Sequence, residues 1–369
     1  MRNGGALPMQ DIEGLLNGEF LGNALHSNIR PGSLDLVPTD EFYRVQGSFL
    51  PSCDETVFDA LKRVGARRID PSSILEQGAC YVCRLTESVL KKLPTGVYAY
   101  ANPKSSSGRV DVHVRMLVDK VSRYDSIPKR YVGHLWLLIL PKTFSIVAPV
   151  GVSLNQIRFF NQDTRLDQLR LETAFEQNGG LLCHSNGELI RFKDVRHSDE
   201  DGSVILTLGL NFEVPGYEAV PTGAVIDLSK EKAYDPKEFF RRIVPADYLV
   251  LVSNTFYILS TGEYVRVPAK FACEMAPMDE KSGELRSHYA GFIDPGWGIG
   301  EDGHARGRPL TLEVRSFDTS IIIRNGQPIA KVRYERMVEN PTRHYDEMQP
   351  NYGTQSGPQL SKHFKPWIE

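Results

Sequence analysis

The run Asn102-Pro103-Lys104-Ser105-Ser106-Ser107-Gly108-Arg109 follows a strand-like segment and sets three hydroxyls, a glycine and two cations within six residues. This is chemistry suited to phosphate. Hydroxyls and backbone N–H groups of a tight turn donate to phosphate oxygens, while Lys and Arg offset the anionic charge. As a bare pattern, a basic turn rich in Ser and Gly equally describes an ordinary solvated loop. It is not a Walker loop, because G-x-x-x-x-G-K-[ST] occurs nowhere in the chain. A second stretch pairs Gly291 to Trp297 (GFIDPGW) with Leu310 to Val314 (LTLEV). Asp294-Pro295-Gly296 marks a sharp turn, and strand alternation sets Thr311 and Glu313 on one face, opposite Leu312. A carboxylate on an inward face is costly unless it has a partner or a task. A Glu on an exposed strand edge is the commoner arrangement, and the residues alone leave both readings open.

The elements that must carry these groups are mostly strands. Strand signals fall at 96–102, 134–140, 155–160, 203–212, 247–259 and 319–325, with turn formers between them. Short helices are expected at 9–16 and 54–64, and a polar helix-prone stretch from Thr164 to Gln177 ends at Gly179-Gly180. The halves on either side of that stretch match each other. Leu93-Pro94 and Val267-Pro268 are each followed nine residues later by a proline, Pro103 and Pro277. The segment from Gly151 to Phe159 matches that from Gly326 to Tyr334, with Leu154/Ile329, Ile157/Val332 and Arg158/Arg333 in register. Thirteen residues before those glycines stand Leu138 in one half and Glu313 in the other. This reads as a divergent duplication. The expected domains are 1–163 as a first repeat, 164–182 as a helical linker, 183–339 as a second repeat and 340–369 as a C-terminal tail. That tail is polar and would be a mobile arm unless it folds over something.

With 369 residues the chain has room for two domains. Its 43 basic residues against 46 acidic ones give a net charge of −3, so no global field recruits nucleic acid or an anionic membrane, and any polyanion site is local. No apolar run approaches membrane-spanning length and the first residues have no signal-peptide core, so a cytoplasmic setting is expected. Five cysteines do not make a disulfide framework.

Taken together in this order, the motifs resemble the dCTP deaminase family. Pro103 to Arg109 is similar to its (G/P)-(R/K)-S-S-x-x-R phosphate motif, and Ile293 to Trp297 with Leu312-Glu313 to its catalytic turn and strand. Tyr352 to Pro358 (YGTQSGP) resembles its C-terminal Tyr-x-x-Gln-x-Gly segment, which covers bound nucleotide; Asp11-Ile12-Glu13 and Pro31 to Leu36 also fit. The resemblance implies a mainly β protein made of two tandem dUTPase-like β-clip repeats with a few short helices. It implies that Lys104, Ser105, Ser106 and Arg109 hold phosphates or orient the attacking water, that Asp294 meets the sugar region, and that Thr311 and Glu313 face the pyrimidine. Gln355, and less securely Tyr345, would reach the nucleotide from the tail. Family members are usually single-repeat chains. Here the serine motif sits in the first repeat and the glutamate in the second, so one site shared between the repeats is expected, as in the duplicated viral dUTPases this arrangement resembles. Lys281 to Arg286 repeats the Lys-Ser-x-x-x-Arg spacing and raises a second, weaker phosphate motif, and Arg123-Tyr124-Asp125 resembles the family's Arg-Ile-Asp.

The implied reaction is attack of water at C4 of cytosine, releasing dUTP and ammonia. Glu313 would serve as base and then acid, with Ser105 or Ser106 orienting the water. Mg²⁺ would enter on the triphosphate and not in a protein cage. Zinc is not expected, since the H-x-E and P-C-x-x-C signatures of zinc deaminases are absent and Cys80 and Cys83 read as buried structural thiols. His184 and His197 read as members of a polar loop beside Asp199, Glu200 and Asp201, and Gly298 to Gly307 as an insertion loop. The alternatives are a dUTP diphosphatase, a bifunctional deaminase and diphosphatase, or a non-catalytic nucleotide-binding regulator. The partners are dCTP and dUTP, with thymidine triphosphate implied as an inhibitor. Two repeats cannot close a threefold ring alone, so a homo-oligomer is expected unless insertions replace the missing third.

Overall fold

In the computed structural model, which describes residues 3–198, 201–276, 278, 285–287, 291–300, 306–317, 319–348 and 350–368, the Gly133–Pro141 and Arg308–Ser316 strands take the same place in two sheets of the same order. The first sheet runs Arg67–Ile69, Pro38–Val45, Cys80–Val89, Gly133–Pro141, Val112–Val118. The second runs Phe240–Arg242, Tyr217–Ala219, Phe256–Val265, Arg308–Ser316, Leu285–Ser287. The registers also correspond: Leu138 pairs with Val82 in one, and Glu313 with Ile258 in the other. Each repeat adds a second sheet, Ile29–Arg30, Ser33–Leu36, Asn155–Phe160, Tyr98–Pro103, Ser126–Ile127 in the first, and Val204–Thr207, Pro328–Arg336, Phe271–Ala276, Phe292–Ile293 in the second. The mainly β, duplicated architecture is therefore present.

The chain divides into two compact units. One, the serine-motif unit, is Leu7–Gln162 with Pro221–Phe239 and Ser361–Glu369; the other, the glutamate unit, is Asp163–Val220 with Phe240–Leu360 and the chain start to Ala6. In the glutamate unit, Leu310, Leu312 and Val314 of one sheet bury against a core that also holds Val204, Leu206, Ala330 and Val332 of the other. Each fully buried aliphatic side chain of this kind contributes roughly 1.5–3 kcal/mol.

The short helices begin and end for local reasons. Met9–Asn17 buries Ile12, Leu15 and Leu16. Val57–Arg63 starts later than the expected acidic residue, because the Thr56 side chain accepts the Asp59 N–H as its N-cap. Gln168–Gln177 is capped by Asp167, which accepts the Arg170 N–H at 2.9 Å, and it buries Leu171, Ala174 and Phe175. It stops at Gly179 and Gly180, both at positive φ, whose carbonyls accept from the Arg266 guanidinium at 2.8 and 2.9 Å. The strand expected over 247–259 is broken in two, Tyr248–Leu251 and Phe256–Val265, by a turn in which Asn254 takes φ 59°. The one expected over 203–212 ends at Thr207.

One buried contact is made twice. The Glu263 carboxylate accepts the Thr207 N–H at 2.7 Å and the Thr207 hydroxyl at 2.8 Å. In the other unit Glu87 accepts the Val37 N–H at 2.9 Å, but valine offers no hydroxyl and Glu87 Oε1 is buried without a partner. Burial pushes the Glu87 carboxyl up to about 7; the Val37 N–H opposes the rise and Asp35 adds to it. Because that value lies above the ordinary 4.5, the protonated form is favoured by folding; the contribution is full below about 4.5 and is lost as pH rises to about 7. Val37→Thr should recreate the second repeat's contact, raise stability at about pH 8 by about 1 kcal/mol, and flatten the loss across that window. Urea unfolding as a function of pH checks this, and an unchanged profile would refute it.

Candidate active site

The Arg308–Ser316 strand lies inside its sheet, between Phe256–Val265 and Leu285–Ser287; Glu313 on it pairs with Ile258 and is only 4 % exposed. The exposed-edge reading is thereby removed. Alternation sends Leu312 and Val314 into the apolar core and leaves Thr311, Glu313 and Arg315 on the opposite face, all buried, with Ser260 paired to Thr311 across the ladder. The corresponding position in the other repeat, Leu138, is closed in a cluster with Val57, Leu61, Trp136 and Val82. A carboxylate there would be desolvated against Val57, Leu61 and Val82.

Asp294 is buried at the head of a tight turn, where the Trp297 N–H bonds the Asp294 carbonyl at 3.2 Å. Gly296 sits at φ 94°, and a Cβ there would come within 2.5 Å of His344. Only glycine therefore lets the tail approach. The Tyr345 N–H donates to the Pro295 carbonyl at 2.8 Å and the Tyr345 ring packs on Trp297, centroids 5.2 Å apart. Further along, Gln355 Nε2 donates to the Pro309 carbonyl at 2.6 Å, and the Gln359 N–H to the Thr311 hydroxyl at 3.4 Å. So the tail, expected to be mobile unless it folds over something, is docked here through Tyr345, Gln355 and Gln359. Within this unit it joins the Asp294 turn to the strand of Thr311 and Glu313. Asp346 anchors it, buried, accepting the Gly300 N–H at 2.6 Å and paired with Arg308.

In the serine-motif unit, Lys104 ends the Tyr98–Pro103 strand and Ser105–Gly108 form one helical turn. The Lys104 N–H and the Ser107 hydroxyl both bond the Leu154 carbonyl, at 3.0 and 3.2 Å, tying the turn to the next strand. The three serines are not equivalent: Ser105 is exposed, while Ser106 and Ser107 are buried. Arg109 is buried as well. A residue without an assigned role in the sequence organises the group. Asp35, itself buried, accepts Lys104 Nζ at 2.5 Å and Arg30 at 2.7 Å. Burial pushes the Lys104 ammonium down, and the Asp35 charge opposes that. The signal for Asp35 in the sequence is a charged residue between Leu34 and Leu36, inside the Pro31 to Leu36 segment.

Other expectations divide. Cys80 and Cys83 are buried strand thiols, Cys80 pushed up to about 11 by burial and Cys83 raised likewise. His184 is exposed, but His197 is not a solvated loop residue: its ring packs 4.8 Å from Phe192, and burial lowers its pKa. Asp125 pairs with Arg115 at 2.7 Å. Of the second Lys-Ser-x-x-x-Arg segment, Lys281 to Glu284 lie outside the described residues, as do Asp199, Glu200 and 301–305 of the glycine-rich run. Arg286 falls inside the Leu285–Ser287 strand, whereas Arg109 precedes the corresponding Val112–Val118, so the spacing does not put Arg286 where Arg109 stands. Among the described residues no group of three His, Cys, Asp or Glu side chains gathers to hold a metal ion, and no helix is long and apolar enough to cross a membrane.

Two family models match the chain, "2'-deoxycytidine 5'-triphosphate deaminase (DCD) N-terminal domain" over residues 3–163 and "2'-deoxycytidine 5'-triphosphate deaminase (DCD), C-terminal domain" over residues 182–364. Among solved structures, the chain is similar to 2'-deoxycytidine 5'-triphosphate deaminase from Agrobacterium tumefaciens, at 34 % identity and TM-score 0.81, covering 92 % of this chain and 100 % of that one. No curated protein matches significantly.

Asp346→Ala would leave Arg308 without its buried counter-charge and loosen the tail, at a cost of about 3 kcal/mol. Tryptic cleavage at Arg343 should accelerate and the unfolding midpoint should fall. Cleavage at the parent rate would show that Asp346 does not anchor this segment.

Proposed function

The chain belongs to the 2'-deoxycytidine 5'-triphosphate deaminase family, and from that premise we propose that it converts dCTP to dUTP and ammonia with Glu313 as general base and acid. The observation that carries the assignment is the buried position of Glu313 on a polar strand face, where the other repeat has Leu138 inside an apolar cluster. A carboxylate kept at such cost is the expected proton carrier.

In the proposed reaction Glu313 takes a proton from water as the oxygen bonds C4, and delivers it to N3. The tetrahedral carbon then bears a hydroxyl and the amino group. Glu313 moves the hydroxyl proton to that amino group, the C4–N bond breaks, and ammonia leaves as the C4 carbonyl forms. The carboxylate is regenerated. Thr311 stands beside Glu313 on the same face to meet the pyrimidine, and Asp294 is assigned to the sugar, with Tyr345 and Gln355 closing from the tail. Lys104, Ser105, Ser106 and Arg109 are assigned to the phosphates, with a hydroxyl of Ser105 or Ser106 orienting the water. The burial of Ser106 favours it over Ser105. The division of labour follows the units: phosphate chemistry in one and base chemistry in the other.

The substrate is the Mg²⁺ complex of the triphosphate. The donor set at the serine motif, cations and hydroxyls, supports metal held by phosphate, and its carboxylate, Asp35, shares one oxygen between Lys104 and Arg30. Thymidine triphosphate as an inhibitor, a homo-oligomeric assembly and a cytoplasmic setting belong to the same reading.

Glu313→Gln should lower kcat for ammonia release by at least about a thousandfold while leaving dCTP affinity within a few-fold, since the amide keeps the shape but cannot shuttle protons. Ammonia and pyrophosphate are followed separately with dCTP and dUTP. Intact turnover in the variant would remove Glu313 from the mechanism. Pyrophosphate from dUTP without ammonia from dCTP would mark a diphosphatase, and nucleotide binding without either product a regulator.

A further inference from the structure

A cavity of about 290 Å³ opens beside the serine motif, within that motif's own unit. One wall holds Arg30, Asp35, Lys104 and Ser106; the facing wall holds Ser229 and Lys362, residues remote from the motif in sequence. That facing wall is a built element. The Lys232 and Ala233 N–H groups bond the Lys362 and His363 carbonyls, each at 2.9 Å, and the Lys365 N–H returns to the Tyr234 carbonyl at 2.8 Å. Phe364 packs edge-on against Phe239 at 5.3 Å, and Phe239 against Phe144 at 5.3 Å. The Leu228 N–H bonds the Val147 carbonyl at 2.9 Å, extending the parallel pairing of Ser145–Val147 with Val225–Asp227. Ser361 closes the wall onto the motif, its hydroxyl donating to the Ser106 carbonyl at 2.9 Å from a buried position.

The charge in this cavity is unbalanced. Arg30, Lys104 and Lys362 line it against Asp35, with Glu231 pairing Lys362 at 2.6 Å from the solvent side, where it is 53 % exposed. The positive charges of Arg30 and Lys362 both act to lower the Lys104 pKa, so each lies close enough to repel Lys104. His363, buried, has its Nδ1 2.8 Å from the Lys230 carbonyl; a carbonyl only accepts, so Nδ1 carries the hydrogen and the ring adds no charge when neutral. Three converging cations and the motif's hydroxyls in a space of this size fit the phosphate end of a nucleotide, not the whole molecule.

We propose that Lys362, presented by the 228–234 and 361–365 wall, binds the terminal phosphates of the nucleoside triphosphate and makes this unit select triphosphates over monophosphates. The proposal rests on the assignment of Lys104 to Arg109 to phosphate. The side chain of Lys362 is 27 % exposed and the wall is held by backbone bonds and aromatic packing, so Lys362→Gln leaves the fold in place. Calorimetry with inorganic triphosphate should show affinity about tenfold weaker in Lys362→Gln, the scale expected for losing one charge-assisted contact. Glu231→Gln, which releases Lys362 from its competing carboxylate, should bind the anion more tightly. Lys365→Gln, altered on the exposed side of the same segment, should match the parent, and dCMP affinity should be the same in all four proteins. No binding of inorganic triphosphate by the parent, affinity in Lys362→Gln within twofold of the parent, or an equal loss for dCMP would overturn the proposal. Lys362-dependent triphosphate binding in a protein that releases no ammonia from dCTP would support this site while defeating the deaminase reading.

Discussion

A carboxylate on the central strand of a sheet constrains what surrounds it. Glu313 shares a face with Thr311 and Arg315, and the face behind it is closed by Leu312 and Val314 against an apolar core. Desolvating an ionisable group is tolerated only where neighbours are polar or where the group has a chemical task. The Asp294 turn with its glycine and the docked tail belong to the same unit, and the tail reaches that strand through Pro309 and Thr311. In the other repeat the same position is Leu138, and helix Val57–Arg63 seals it with Val57 and Leu61. Once leucine occupied that place, an apolar helix face could cover it.

Duplication followed by specialisation explains several paired differences. Strand order and register survive in both copies, because a one-residue slip would turn an apolar face outward. Side chains free of that constraint diverged. The Glu87 and Glu263 contacts keep the backbone bond in both copies but keep the hydroxyl only where Thr207 stands. The serine motif evolved a cationic cluster held by Asp35, which prevents Lys104 and Arg30 from facing each other without a counter-charge. The serine motif thus stands in one unit and Glu313 in the other.

Much of the candidate site was legible from residue types alone, for physical reasons that differ between parts. Lys104 to Arg109 and Asp294 to Trp297 are local: hydroxyls, cations and turn formers adjacent in the chain are adjacent in space. Alternation placed Thr311 and Glu313 on one face. Asp35 carries no local signature of its partnership with Lys104, because the two stand far apart in sequence. The difference between exposed Ser105 and buried Ser106 depends on the helical turn they adopt. The charged sequence neighbours of His197 describe a solvated loop, whereas the ring turns onto Phe192.

The sequence by itself determined the strand-rich repeats, the turn-borne motifs and the family, since these rest on short-range periodicity, turn chemistry and residue order. Only the tertiary structure decided whether Glu313 is buried or at an edge, because burial depends on which strands flank it. The tail's fate was decided in the same way. Its polar composition describes a mobile arm unless it folds over something, and Asp346, Gln355 and Gln359 find partners on the Arg308–Ser316 strand. The last residues, from Ser361, and residues 221–239 belong to the serine-motif unit, although the segment between them in sequence belongs to the other. Backbone bonds and packed aromatic rings between remote segments hold them there, and such contacts have no signature in local composition.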